Sequence, residues 1–285
     1  MASIPSRGAA GKLLARDQPV EFTSCGRSVV GTLHEPAGER REPGVVFCNA
    51  FADERRSSCL AMARLGRALA HRGWPVLRFD YWGCGESPGE FVDATVSTCM
   101  EDVRSAVQFL RGRTGCGSVC LLGLRLGAAI AVRAGEHLSE CTALALLEPV
   151  PDGASYLATL LRHRQLRRMI TAGRAEAQRG FEADEIVDLD GYAVRRGTLA
   201  EIQTLRITGG HLGPRGRVLV VQVSFTDRLR PETLAVRDTF EGVGAAVDVR
   251  ALVMPPFWSR IDIVDTTPLE EAVAGWFGTL AQGRA

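Results

Sequence analysis

The sequence predicts an α/β fold: a mostly parallel central sheet, an antiparallel hairpin at its N-terminal edge, and a helical cap inserted late in the chain. Three observations lead there. Short continuous apolar runs recur along the chain, as strands buried on both faces require. Segments with apolar residues at helical spacing separate them. One long stretch, from Glu148 to about His211, breaks that alternation.

The chain has 285 residues, enough for one domain of this class with an insertion. Residues 1–17 are polar and Gly/Ala-rich and read as a disordered lead; residues 18–285 read as the domain, with the cap at about 149–212. Pro19–Ser24 and Ser28–Leu33 alternate in polarity around Cys25-Gly26-Arg27, a hairpin signal. Gly44–Asn49 is the first continuous apolar strand. Leu60, Ala61, Leu65, Ala68 and Leu69 then mark a helix that Gly73 ends. Pro75–Asp80 is a strand, and Ala94–Leu110 a helix with Val96, Met100, Val103, Val107 and Leu110 on one face. Strand Ser118–Leu122, short helix Leu126–Ala134 and strand Ala143–Leu147 follow. The insertion holds an arginine-rich helical stretch, Tyr156–Ile170, then polar loops, then a short helix near Leu199–Ile202. Strand Arg217–Val223, helix Glu232–Phe240, strand Ala246–Val253 and helix Leu269–Leu280 complete a sheet covered on both faces.

Composition narrows the function classes. With 46% hydrophobic and 24% charged residues the chain builds a large core, which excludes global disorder. A net charge of +1 gives no reason to expect nucleic acid or an anionic membrane as partner. The eight cysteines are scattered without a C-x-x-C pair, which reads as reduced thiols of a cytoplasmic protein. Met1–Gln18 lacks the apolar core of a signal peptide, and no run reaches the ~18 apolar residues of a membrane span. No cofactor or metal is expected.

The informative segment is Ser118–Gly127, SVCLLGLRLG. A strand runs directly into Gly123-Leu124-Arg125-Leu126-Gly127 and then an Ala-rich helix. This is the frame of a nucleophile elbow, whose flanking residues must be small because the chain turns so sharply. The central residue is Arg125. A guanidinium stays protonated at any working pH and does not attack a carbonyl. The alternative reading is a Gly/Ala-rich helix start that packs tightly on the sheet.

Asp80-Tyr81-Trp82-Gly83-Cys84-Gly85-Glu86-Ser87 resembles the D-x-x-G-x-G-x-S loop of α/β hydrolases, where the glycines serve turns. Cys84 is a candidate nucleophile, set against a tight loop with no histidine near it in sequence. In such folds the acid follows a late strand and a histidine follows the last one. Asp227 fits the acid position, although a plain loop aspartate or helix cap reads equally well. The last loop, Met254-Pro255-Pro256-Phe257-Trp258-Ser259-Arg260, has no histidine. Of the five histidines, His34, His71 and His137 read as surface residues. His163 lies in the cap, and His211 lies on the wrong side of the sheet.

A set of motifs in order resembles the exosortase A system-associated hydrolase-like proteins of the α/β-hydrolase superfamily. They are Asn49-Ala50-Phe51-Ala52-Asp53-Glu54, Tyr81–Ser87, Gly123–Ala128, Glu148-Pro149-Val150, Gly191-Tyr192 and Pro255-Pro256-Phe257-Trp258. The resemblance covers residues 43–275. It implies the fold, a bacterial source, a hydrolase label and an elbow arginine that belongs to the pattern. The first loop departs from it, with Asn49-Ala50-Phe51 in place of a Pro-Pro-Phe opening.

Three readings stay open. The protein is an ester, thioester or acyl-handling enzyme with a displaced nucleophile or an activated water, drawing on Glu54, Glu148, Cys84 and Asp227. Or it binds a small-molecule carboxylate or phosphate at Arg125. Or Arg125 is structural. An arginine at a helix N-terminus adds charge to a positive partial charge and needs an anion. The expected partner is Glu54, Glu148 or Asp227, each placed at or just beyond a strand end.

Overall fold

The computed structural model describes residues 16–36, 38–171, 185–207, 216–260 and 262–282. The first hairpin is β1 (Arg16–Ser24) and β2 (Arg27–Glu35), turned by Cys25 and Gly26, both at positive φ. β1 begins earlier than the alternation suggested. Arg16 and Asp17 pair with Glu35 and His34, so Asp17 belongs to the sheet; residues 1–15 of the expected lead lie outside the described residues.

β3 (Gly44–Cys48), α1 (Ala52–His71), β4 (Val76–Phe79), α2 (Val96–Thr114), β5 (Val119–Leu124), α3 (Leu126–Gly135) and β6 (Cys141–Leu147) follow in strict alternation. α2 shows how local sequence sets such bounds. Thr95 and Thr98 form a reciprocal capping box at its start, and Gly115 ends it at φ 77°. After β6 come α4 (Gly153–Thr171), the hairpin β7 (Ile186–Leu189) and β8 (Tyr192–Arg195), and α5 (Arg196–Thr204). β9 (Arg217–Ser224), α6 (Pro231–Glu241), β10 (Ala246–Val253) and α7 (Thr267–Gln282) close the described fold.

The β7–β8 hairpin stands where polar loops were expected. Val187 and Leu189 point inward between exposed neighbours, and Asp190-Gly191 makes the turn with both residues at positive φ. An Asp-Gly pair between alternating runs is the signal for such a hairpin.

Among the described residues, eight strands form one sheet in the order β1-β2-β4-β3-β5-β6-β9-β10. All neighbours from β4 to β10 run parallel, and β2 is antiparallel to both its neighbours. β5 is central, between β3 and β6. Its residues alternate between two cores: Val119 and Leu121 face α2 and α3, while Cys120, Leu122 and Leu124 face α1 and α7. The cap segments dock on the first of these faces. Arg195 pairs with Asp93 at 2.7 Å, and Glu201 accepts the Ser97 backbone N–H at 2.9 Å.

His34 is fully buried, contrary to its reading as a surface residue. It sits on β2 beneath α1, where a Cβ on Gly66 would come within 2.9 Å of its ring. Nε2 accepts from Arg78 at 3.0 Å, so Nδ1 carries the proton shared with Asp17 at 2.6 Å. Burial lowers its pKa, against the opposing pull of Asp17. His71 and His137 are exposed, and His211 lies outside the described residues.

Candidate functional site

β5 ends in a reversal whose shape is imposed by the backbone. A Cβ on Gly123 would lie 2.4 Å from Ala128 Cα, and one on Gly127 would lie 2.3 Å from the carbonyl oxygens of Cys48 and Asn49. Only glycine fits at either place. Between them Arg125 adopts φ 55°, ψ −121°, a costly conformation for a side-chain-bearing residue. Its N–H bonds Leu147 O at 3.0 Å, and its C=O accepts from Ala128 N at 3.0 Å. Two more non-glycine residues with positive φ follow the neighbouring strands: Ala52 after β3 and Glu148 after β6. Three strained positions thus gather at the C-terminal ends of β3, β5 and β6.

The Arg125 side chain lies at the centre of a polar knot. Nε donates to Glu54 Oε1 at 3.0 Å. The other Glu54 oxygen accepts from the Tyr156 hydroxyl at 2.9 Å. The guanidinium carbon lies 5.3 Å from the ring centre of Trp258 and 5.7 Å from that of Tyr156, within cation–π range. Elbow, α1, cap helix α4 and the loop after β10 therefore meet in one cluster. Burial pushes the Glu54 carboxyl up, against the pull of Arg125 and Tyr156. Burial also raises the Tyr156 phenol well above its ordinary value, so it stays a donor.

Glu148 plays a different part from the one expected. Its carboxylate does not hold Arg125; its backbone oxygen does, at 3.5 Å from Nη1. The buried side chain instead accepts from Val223 N at 2.8 Å and pairs with Arg230 Nη2. The Glu148 N–H already bonds Val221 O at 2.7 Å, so its side chain prolongs the β6–β9 ladder by one step. Arg230 was not singled out from the sequence. One signal could have found it: it directly precedes Pro231, which opens a helix just beyond the end of β9.

Asp227 is exposed and takes no part in the cleft, so the acid position is not filled as expected. The loop explains why. Buried Gln222 accepts from Arg230 N at 2.8 Å and donates to Arg228 O at 2.9 Å, while Ser224 Oγ closes on Thr226 O at 2.5 Å. That framework presents Arg230 to the cleft and leaves Asp227 in solvent. Cys84 also lies elsewhere. It is buried beside a separate chamber of about 30 Å³ that shares Phe51 with the cleft, and burial pushes its thiol up to about 12. Nearby Asp80 is spent on structure, bonding Arg55 and the Glu86 N–H, each at 2.9 Å. In the loop after β10, buried Trp258 stands against Arg125 where a histidine was sought.

The knot forms one wall of an open cleft of about 870 Å³. α1, the cap helix with exposed His163, the turn at Asp190, the start of α6 and the Pro256–Ser259 loop surround it. Among the described residues no group of three or more His, Cys, Asp or Glu is arranged to hold a metal, and no helix is long and apolar enough to cross a membrane.

A family model described as serine aminopeptidase, S33, matches residues 45–178, from β3 into the cap. Human protein ABHD12B is 28% identical over 129 residues, which make up 45% of this chain and 34% of that protein. The matched stretch thus spans about a third of that relative's length. Est1E from Butyrivibrio proteoclasticus, solved with ferulic acid, superposes with a TM-score of 0.63 at 16% identity over 91% of this chain and 98% of its own. The Pyrococcus furiosus esterase Pf2001 gives 0.63 at 12% identity, covering 98% of this chain and 94% of its own. The chain has the α/β-hydrolase fold.

Proposed function

From an α/β-hydrolase fold with arginine at its elbow, we propose that this protein holds a small carbonyl-bearing or acyl ligand in the cleft beside Arg125, without serine–histidine hydrolysis. One observation carries the reading: the elbow residue is a guanidinium within cation–π range of two aromatic rings and paired with Glu54. It cannot act as a nucleophile. Of its five N–H donors, the bonds to Glu54 and Glu148 use two, which leaves three for a ligand. The cleft volume falls in the usual range for small-molecule sites, roughly 300–1,000 Å³. The ordered motifs support kinship with the exosortase A system-associated hydrolase-like proteins. All eight cysteines are free, six of them buried, which suits a reducing cytoplasm.

A second reading, a hydrolase of esters or thioesters, is favoured by the raised carboxyl of Glu54 and by the likeness to solved esterases. There Glu54 would activate a water and Arg125 would polarise the carbonyl. Both Glu54 oxygens already accept hydrogen bonds, which argues against that role. Hydrolysis of p-nitrophenyl acetate separates the two readings. The expected turnover is far below the enzyme median of about 10 per second, while small acyl ligands raise the melting temperature saturably. A turnover near that median, abolished by Glu54→Gln, would establish the hydrolase.

A further inference from the structure

Among the described residues β10 pairs with β9 alone and forms one edge of the sheet. Six of the eight residues of β9 are buried, and none of those of β10 is. The register between the two strands is unbroken. It opens and closes on like bonds, Ala246 N to Gly216 O and Met254 N to Ser224 O, each at 3.0 Å. With a strand period of two, the even-numbered residues between them spend their backbone groups on β9. The N–H and C=O groups of Val247, Val249 and Ala251 therefore point out of the sheet. Arg250 marks that direction, folding its guanidinium back to donate to Val249 O at 3.2 Å. At the opposite edge Pro19 takes a donor out of β1, a usual device against strand pairing, whereas β10 holds neither proline nor glycine.

We propose that β10 is the interface for a second copy of this chain, paired about a two-fold axis at Val249 so that the two sheets become one. A two-fold axis makes the pairing antiparallel and self-complementary. Hydrogen bonding puts the axis on a residue, since an axis between two residues sets outward groups against inward ones. Charge then picks the residue. β10 carries two charges, Asp248 and Arg250. An axis at either sets like charges face to face. An axis at Val249 sets each Asp248 opposite the copy's Arg250. Those pairs fall at non-hydrogen-bonded positions, where Cα atoms approach to about 4.5 Å, and opposite charges directly across a sheet are stabilising. Val247 then faces the copy's Ala251, and Ala246 its Leu252. The acid is already oriented: Trp276 Nε1 and Arg217 Nη2 hold Asp248 Oδ2 at 3.0 and 3.3 Å. Its Oδ1 is left to Arg250 of the same strand, 3.7 Å away. Pairing exchanges these contacts of the exposed Arg250 for the copy's carboxylate, and the vacated Val249 carbonyl accepts the copy's Val249 N–H.

Sedimentation velocity of the full chain over a concentration series tests the proposal, with circular dichroism to check that each variant folds. The wild-type chain is expected to show a monomer–dimer equilibrium. Ala251→Pro removes an outward donor, touches no bond to β9, and should leave a monomer. Arg250→Asp sets two like-charge pairs across the axis and should weaken the dimer at least about tenfold. Asp248→Arg should do the same. Mixed one to one, the two charge variants present opposite charges at both positions and should recover the dimer. A wild-type chain that stays monomeric at its highest soluble concentration overturns the proposal and leaves the two charges as guards of an open edge. So does a dimer of unchanged strength in folded Ala251→Pro or Arg250→Asp, or a mixture of folded charge variants that stays monomeric. Should Ala251→Pro or Asp248→Arg fail to fold, Arg250→Asp, at an exposed site, decides alone.

Discussion

Two chain reversals, after β5 and after β9, face the same cleft and are held in different ways. The first is held by steric exclusion: glycines at 123 and 127 sit where any Cβ would strike backbone. The second is held by side chains, with Gln222 and Ser224 bonding the loop from within. A reversal held by exclusion keeps its shape whatever residue stands at its apex, so the elbow survives with arginine there. A reversal held by side chains aims its residues according to those bonds. Here it turns Asp227 outward and Arg230 inward. The elbow frame therefore reports the fold, and the loops around it report the chemistry.

The largest expected effect tests the first half of that contrast. Gly127→Ala places a Cβ 2.3 Å from two carbonyl oxygens of the β3 end, and backbone there has nowhere to go. Chemical denaturation should show a loss of at least about 4 kcal/mol, in the exceptional range for one substitution. A loss under about 1 kcal/mol, an ordinary value for a point mutation, would mean the elbow is not held by exclusion.

Arg125→Ala comes next. Its pair with Glu54 retains 19% and 15% side-chain exposure, so the loss should fall below the ~3–5 kcal/mol seen when a fully buried pair is broken. Combined with Glu54→Ala, the two losses should be strongly non-additive. Additivity in that cycle would remove Glu54 as the internal counter-ion.

What the sequence showed and hid follows the same division. β10 was read to the residue, Ala246–Val253, and the strand before the elbow to within two residues, because apolar runs and glycine spacing are periodic signals. The elbow apex was legible for that reason. The roles of the carboxylates were not. Glu54, Glu148 and Asp227 all stand at or just beyond strand ends, yet they go to Arg125, to β9 with Arg230, and to solvent. Side-chain direction at a loop end depends on the turn, and the turn after β9 depends on Gln222, which reads in sequence as part of a strand. His34 was misjudged likewise: its partners Asp17, Arg78 and the packing glycine Gly66 are distant along the chain.

The second half of the contrast is tested by Gln222→Leu. Gln222 is fully buried and serves Arg230 N, Arg228 O and the Thr233 hydroxyl, the last at 2.8 Å. The change keeps the bulk and strips the bonds, leaving orphaned groups at about 1–3 kcal/mol each. Melting temperature should drop, and any ligand response that depends on Arg230 should fall with it. An unchanged ligand response would show that the loop holds Arg230 in place without Gln222.

The smallest effect is the most discriminating. Asp227→Ala removes the residue that sequence position nominates as the catalytic acid. In the structure Asp227 is exposed, outside the cleft lining, and forms none of the loop's framing bonds. Stability should change by no more than about 0.5 kcal/mol, as for a surface substitution away from any special feature. Whatever ester cleavage and ligand binding the protein shows should persist. Arg230→Ala, three residues further along the same loop, should weaken ligand binding while Asp227→Ala does not. The reverse ranking would mean that the loop after β9 turns over in solution, bringing Asp227 to the elbow as in a working triad, and the side-chain-held reversal would then be a switchable one.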